Sequence, residues 1–452
     1  MPGWLVIIFM AVVGACIGSF LNVVIFRMPR GLSIVSPGSR CPKCEQDIAW
    51  YDNIPVLSYL FLRGRCRHCA APISPRYALI ESVTAILFVG LYDAFYQFGT
   101  SPYASHPWPQ SLLIGHLALL AVLVACSAID IEYYLIDIRI SYVGMLTGIA
   151  MWVLTPELRG MAPESQPPVG LTGGIFGAVV GIIVRHWLLL RGQVIPDEPE
   201  PEEAEEPIVE AEEARVGWIW IAGLIVYLLG AAGLILWTLL DGGNDRFRGF
   251  LYVLWPFIAI LAAAIPIRQS DQEIVEAIEQ ERVTARRTAL NELAGLLPVI
   301  SGFLLGFAVF TYLPWARDFG GRACFWTVGP LCPVLGLAWG LGGLVGAAAF
   351  GWAVRIFFTL LFGKEAMGAG DIYILAAIGS VTGTAVAVVG FFLGSVIGVF
   401  GIGLLMLWKT SRALSYGPWI AIGTWVVLLF QEPVMNYLKP LAAMVRQIIQ
   451  GD

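Results

Sequence analysis

Charge is what this chain has least of: Asp, Glu, Lys and Arg supply only 13% of its 452 residues, whereas hydrophobic residues supply 58%. Many apolar runs continue for about 18 residues or more, the length that spans a bilayer core, which excludes a soluble globular fold. A basic excess is missing too. The net charge is −6, most of it from one acidic segment, and nothing in it suggests a nucleic-acid partner. No Lys or Arg precedes the first apolar run, while Arg27, Arg30, Arg40 and Lys43 follow it, so the positive-inside rule puts the N-terminus outside. The same alternation places Arg185 with Arg191, Arg282 with Arg286 and Arg287, Lys364, and Lys409 with Arg412 on the inner side. Residues 1–25 also lack a basic n-region and a small-residue cleavage site, so this run is expected to remain as a span.

What is present reads as an all-α polytopic membrane protein of about twelve transmembrane helices. The spans are expected near 4–26, 77–98, 111–129, 139–155, 170–190, 217–240, 249–267, 293–313, 334–361, 372–387, 389–408 and 417–434.

The chain is organised around Met367-Gly368-Ala369-Gly370-Asp371, with Lys364 just before it and an apolar run over 372–377 after it. A carboxylate at a membrane border is costly to desolvate, so it is paired, hydrated or functional. Two glycines ahead of it let another backbone approach closely, as a substrate-cleaving site requires. An ordinary helix entry also carries Gly and Asp, and the motif gains weight only with a second carboxylate at the same depth.

Cys41-Pro42-Lys43-Cys44 and Cys66-Arg67-His68-Cys69 form two C-x-x-C pairs roughly twenty residues apart, the spacing of a zinc ribbon or knuckle. Four thiolates leave zinc no open position, which makes its expected role structural. Two disulfides are the alternative, disfavoured because the topology puts this loop in the reducing cytosol. Cys16 and Cys126 fall in apolar helices and are expected to be small core residues. Ser19 and Asn22 share one side of the first helix, where they either bond a neighbouring helix or serve the site.

Gly18-Ser19-Phe20-Leu21-Asn22-Val23-Val24 with Arg27 and Pro29, Cys41-Pro42-Lys43-Cys44, Trp50-Tyr51-Asp52-Asn53-Ile54-Pro55-Val56-Leu57-Ser58-Tyr59, Arg63-Gly64-Arg65-Cys66 and Arg76-Tyr77 through Glu81 resemble the N-terminal domain of the bacterial type IV prepilin peptidases. Gly363-Lys364-Glu365-Ala366-Met367-Gly368-Ala369-Gly370-Asp371 resembles that family's second catalytic motif, with Lys364, Gly368 and Gly370 supporting the aspartate. The resemblance is close over about residues 10–82, good around 110–136 and 336–430, and absent from most of 192–335.

On that resemblance, the catalytic aspartates are Asp371 and Asp130, which closes the third span in Ala128-Ile129-Asp130-Ile131-Glu132. Counting spans, Asp130 leaves the membrane on the inner face and Asp371 enters it from that face, so their depths match. Two close carboxylates cannot both ionise readily; they share a proton, one activating water while the other protonates the carbonyl or leaving amine. Two positions depart from the family pattern. Tyr133-Tyr134-Leu135-Ile136-Asp137-Ile138 lacks the usual Pro-Asp pair, and Tyr373 replaces a basic residue. Asp137 and Glu132 are fallback acids, expected to be solvated loop charges.

Residues 196–213 are Pro, Glu and Ala with almost no large apolar side chain, which reads as a disordered cytosolic linker. Residues 269–291, with Ile274, Ile278 and Val283 beside Glu and Arg, read as a cytosolic or interfacial amphipathic helix. The stretches 170–190 and 336–362 share a Gly-rich start and a basic end, and either qualifies as the helix preceding the G-x-G-D motif. Cys324 and Cys332 fall in an external loop, where an oxidising compartment allows a disulfide. Gly379, Gly383, Gly390, Gly394, Gly398 and Gly401 suit close helix packing. The expected divisions are 1–82, the first span and cytosolic four-cysteine domain; 83–191, a first membrane part with Asp130; 192–215, the linker; 216–335, an inserted membrane region; and 336–452, a second membrane part with Asp371.

The resemblance implies an inner-membrane aspartic endopeptidase, facing the cytosol, that cuts the leader of type IV prepilins or type II secretion pseudopilins after a glycine. It also implies N-methylation of the new N-terminus from S-adenosylmethionine. The implied cofactors are structural zinc and S-adenosylmethionine, and the implied partners are prepilin substrates and the bilayer. Alternatives are a peptidase without methyltransferase activity and a non-catalytic membrane scaffold, which the altered Asp137 region favours and the intact acid pair opposes. A presenilin-type protease shares G-x-G-D but lacks a four-cysteine loop, and a transporter leaves the cysteines unexplained.

Overall fold

The computed structural model describes residues 3–96, 110–154, 169–191, 218–239, 245–264, 271–313, 333–407 and 415–430. The expected linker over 192–215 and the expected Cys324–Cys332 bridge lie outside the described residues. Among the described residues the chain is helical outside the four-cysteine loop, which holds two isolated β-bridges: α1 Gly3–Arg27, α2 Leu57–Phe61, α3 Arg76–Tyr96, α4 Gln110–Tyr133, α5 Ile138–Leu154, α6 Val169–Leu190, α7 Trp218–Leu239, α8 Asp245–Ala264, α9 Asp271–Tyr312, α10 Pro333–Phe362, α11 Ala369–Thr382, α12 Thr384–Leu407 and α13 Gly417–Leu429. Every expected span overlaps one of these helices, and the one expected over 372–387 crosses the break between α11 and α12 at Gly383. Six stretches are long and apolar enough to cross a membrane, Gly3–Arg27, Arg76–Phe95, Leu112–Tyr133, Ala285–Val309, Gly336–Phe362 and Thr384–Leu404, and six further apolar helices are shorter. The protein is a multi-pass membrane protein.

One expected boundary disappears. The amphipathic helix over 269–291 and the span over 293–313 are a single helix, α9, of 42 residues. The change from charged to apolar falls among strong helix formers, Arg286, Arg287, Ala289, Leu290, Glu292 and Leu293, so composition changes while the backbone continues.

Helices are drawn together where backbones meet without side chains between them. A Cβ on Gly177 of α6 would lie 1.9 Å from the Gly302 carbonyl oxygen of α9, and one on Gly343 of α10 would lie 1.9 Å from that of Gly379 in α11. Lipid offers apolar side chains as good a home as a neighbouring helix does, so such close approach, with its dispersion contacts, drives association. These seams separate the two Gly-rich stretches: α6 pairs with α9, whereas α10 packs on α5 and on the G-x-G-D helix α11. Gly383 departs from the expected packing role. It has φ +89° and open space where a side chain would go, and it ends α11 in a conformation that favours glycine.

Ser19 and Asn22 bond a neighbouring helix. Asn22 Nδ2 donates to the Tyr77 carbonyl at 3.1 Å, Ser19 is a partner of Glu81, and Gly18 brings α1 against the Glu81 backbone of α3. Cys126 is fully buried, as expected. Cys16 is not a core residue but exposed on α1, on a face that lipid can cover at no apolar penalty. The region over 216–335 is docked on the rest: Arg248 of α8 pairs with buried Asp93 of α3 at 2.8 Å, and Trp425 Nε1 of α13 donates to the Tyr252 carbonyl at 3.0 Å.

The seam between α12 and α13 gives a test. A Cβ on Gly423 of α13 would lie 2.1 Å from the Gly390 carbonyl oxygen of α12, whereas nothing lies within 4 Å of one on Gly403. Gly423→Leu is expected to lower the thermal midpoint of the detergent-solubilised protein strongly, with a cost above the roughly 1–3 kcal/mol of ordinary overpacking. Gly403→Ala is expected to leave it unchanged, and equal midpoints for the two variants would contradict the seam.

Candidate active site

Several helix ends meet at one end of the bundle. The C-terminus of α4 brings Asp130, the N-terminus of α11 brings Asp371, and the N-terminus of α13 meets both helices at Gly417, beside Asp130 and Ile374. The ends of α1 and α3 are tied to the same place. Arg30 Nη1 donates to the Tyr133 hydroxyl at 2.5 Å, Arg139 Nη2 donates to the Met28 carbonyl at 3.0 Å, and Arg76 pairs with Glu132.

Asp130 is 5% exposed, and its Oδ2 accepts the Gly417 N–H at 2.9 Å, with Ser415 as a second partner. The first N–H groups of a helix have no partner within it, and Pro418 presets the start of α13, so the Gly417 N–H is free to reach a carboxylate. A Cβ at 417 would lie 2.7 Å from that same oxygen. In the sequence Gly417 stands only as the first residue of the expected span over 417–434, and its one signal is the Gly-Pro entry.

Asp371 is also 5% exposed and lies in the first turn of α11, where the helix dipole favours an anion. Its N–H donates to the Gly368 carbonyl at 3.2 Å, and its Oδ1 is buried with no hydrogen-bond partner among the described residues. Asp130 is within electrostatic range of it. The two motif glycines differ in use. A Cβ on Gly370 would lie 2.6 Å from Cβ of Ile136, the segment that follows α4, so Gly370 lets the two acid-bearing segments touch. Gly368 is exposed, as is Lys364, which stays on the surface of the loop.

The fallback acids are not solvated loop charges. Asp137 is 7% exposed and is held by Arg139 at 2.6 Å, and Glu132 is half-buried against Arg76. Both are used to brace helix ends. Tyr373 packs edge-on against Tyr142 of α5, with ring centroids 6.1 Å apart.

The four cysteines converge as their spacing predicts. Cys41, Cys44, Cys66 and Cys69 place their sulfurs within 4.8 Å of one another, with Cys41 to Cys69 at 3.8 Å and Cys44 to Cys66 at 4.0 Å. A tetrahedral zinc with Zn–S of about 2.3 Å separates its sulfurs by about 3.8 Å, so the donor set fits a metal such as zinc. Each pair sits on the same kind of turn. The Cys41 N–H bonds the Gln46 carbonyl and the Cys66 N–H bonds that of Ala71, and Glu45 and Ala70 take matching positive φ of 55° and 57°. Backbone N–H groups of Cys69 and His68 pull the Cys66 thiol down to about 6, whereas, over the pull of the Gln46 N–H, desolvation and the neighbouring thiols push Cys44 up to about 11, so without a metal the cluster holds its protons unevenly. Cys44→Ser is therefore expected to reduce zinc in the purified protein from about one per chain to well below that, read by elemental analysis. Undiminished zinc would place the metal elsewhere.

Residues 12–95 match the family model of the bacterial peptidase A24 N-terminal domain. A prepilin leader peptidase/N-methyltransferase of Myxococcus xanthus is 44% identical over 154 residues, 33% of this chain and 42% of the relative, and one of Klebsiella pneumoniae is 42% identical over 134 residues, 28% of this chain and 54% of the relative. The chain thus spans about half the length of these two relatives. One of Aeromonas hydrophila is 31% identical over 264 residues, covering 52% of this chain and 82% of the relative. No solved structure matches. With 31% identity along 82% of that relative, the chain belongs to the prepilin leader peptidase/N-methyltransferase family.

Proposed function

We propose that this chain is an aspartic endopeptidase of the bacterial inner membrane that cuts the leader of type IV prepilins or type II secretion pseudopilins after a glycine, on the cytosolic side. The observation that carries the proposal is the convergence of Asp130 and Asp371, two buried carboxylates without a salt-bridge partner among the described residues, at one end of the bundle. In the proposed reaction one carboxylate takes a proton from water, whose oxygen attacks the glycyl carbonyl carbon. The other, holding the shared proton, passes it to the carbonyl oxygen and then to the leaving amine as the C–N bond breaks. Gly417 and Gly370 serve by letting backbone come close to both acids. On this reading 83–191 and 336–452 are the two parts of the peptidase membrane domain, 192–215 is a linker, and 216–335 is an insertion.

The second proposed activity is methylation of the new N-terminal amine, assigned to the N-terminal region with the four cysteines. Support comes from the family match over residues 12–95 and from the names of the relatives. S-adenosylmethionine would supply the methyl group when bound. The cysteine knuckles, tied to α1 and α3, would hold that region beside the exit of the cut chain.

Asp130→Asn and Asp371→Asn are each expected to slow cleavage of a prepilin by about 10³-fold, the scale of a lost general acid or base, with normal accumulation of the enzyme. Methylation of a precut pilin is expected to continue in both. Retained cleavage in either variant would refute the acid pair, and a mature product lacking one methyl group would remove the second activity.

A further inference from the structure

The loop that carries Asp371 is held from behind by one guanidinium. Arg355 of α10 is 4% exposed, and its donors are taken up. Nε reaches both oxygens of Glu292 at 3.1 Å, Nη2 reaches Glu292 Oε1 at 2.7 Å, and Nη1 meets both the Glu365 carboxylate and the Met367 carbonyl. Met367 is joined to Gly368, whose carbonyl accepts the Asp371 N–H at 3.2 Å. A short path of bonds therefore runs from Glu292 through Arg355 to the backbone that aims Asp371.

Glu292 is the unexpected member. It is 4% exposed and belongs to α9, within the stretch over 192–335 where the family resemblance is largely absent. A buried carboxylate is costly unless paired, and a planar guanidinium gripped on one side is fixed in orientation on the other. The side chain of Arg286, also on α9, lies beside Gly363 at the start of the loop. A cavity of about 60 Å³, with room for a water or two, opens beside the pair between Ala285, Ala289 and Thr359. The ion pair bridges that gap.

We propose that Arg355 and Glu292 are positioning residues for the site: Arg355 fixes the loop that aims Asp371, and Glu292 of the inserted region fixes Arg355. The added helix α9 is then a working part of the peptidase, and displacement of the α6–α9 pair reaches the acid through one guanidinium. The kinetic part of this proposal rests on the peptidase reading above; the structural part does not.

The test uses the full chain in lipid nanodiscs, with hydrogen–deuterium exchange of residues 363–371 measured beside prepilin cleavage. In Glu292→Gln and in Arg355→Met, exchange of that segment is expected to rise at least about fivefold while α5 is unchanged, with kcat down about 10- to 100-fold and KM within about twofold, as misplacement of a reacting group produces. The double variant is expected to be no slower than Arg355→Met, because both act through one contact. Arg355→Lys, which keeps the charge and loses the fork, is expected to fall between wild type and Arg355→Met, and it serves alone if the others do not accumulate. Unchanged exchange of 363–371, or unaltered kcat per folded molecule, or multiplying effects in the double variant would overturn the proposal. A wild-type chain that cleaves no prepilin would instead remove the peptidase reading and leave the exchange measurement to decide the clasp.

Discussion

A carboxylate taken out of water must find compensation, and in this chain that constraint sorts the acids. Six are buried among the described residues: Glu81, Asp93, Asp130, Asp137, Glu292 and Asp371. Asp93, Asp137 and Glu292 each face an arginine, and Glu81 accepts the Val56 N–H at 2.7 Å. Those four brace the fold, since removing one partner of such a pair leaves a charge whose desolvation costs several kcal/mol. Asp130 and Asp371 have no such brace. Asp130 has the Gly417 N–H and Ser415, Asp371 has a helix N-terminus and the more distant charge of Arg355, and each lies within electrostatic range of the other. Neither forms a salt bridge among the described residues, and in the proposed reaction this is where a proton stays in play.

The rest of the architecture serves this arrangement. Glycine seams let α10, α11, α12 and α13 approach so closely that three helix ends share one small space. The cysteine knuckles hang from α1 and α3, which Arg30, Arg76 and Arg139 fasten to the segment just after Asp130. In the proposed reaction, cut and modification would thus take place at the same end of the molecule. The region over 216–335 is attached by buried ion pairs at two places, Asp93 with Arg248 and Glu292 with Arg355, and the second of these leads to the G-x-G-D loop.

Local features of the sequence were the ones that could be read in advance. Apolar runs located every helix that the structure describes in the membrane part, C-x-x-C spacing located the cysteine cluster, and the resemblance singled out Asp130 and Asp371. The hidden features depend on partners distant in the chain. The Gly417 N–H lies 287 residues from the carboxylate it meets, and Glu292 lies 63 from Arg355, and no periodicity encodes such pairs. Asp137 and Glu132 were misread for the same reason, since their arginines come from the tertiary fold or from the shape of a turn. Cys16 was misread because hydropathy marks a helix as apolar without saying whether a face meets lipid or protein. The continuity of α9 was hidden because a change of charge imitates a boundary that the backbone does not make.

The central claim is that two acids remote in sequence share one proton at one depth. The most direct measurement is an experimental map of the chain in lipid at a resolution that shows ordered water. The Asp130 and Asp371 carboxyls are expected to face one another with a single water within about 2.6–3.2 Å of each, the reach of general acid–base catalysis. Carboxyls at opposite faces of the bilayer, or turned into separate helix clusters with no common water, would contradict it.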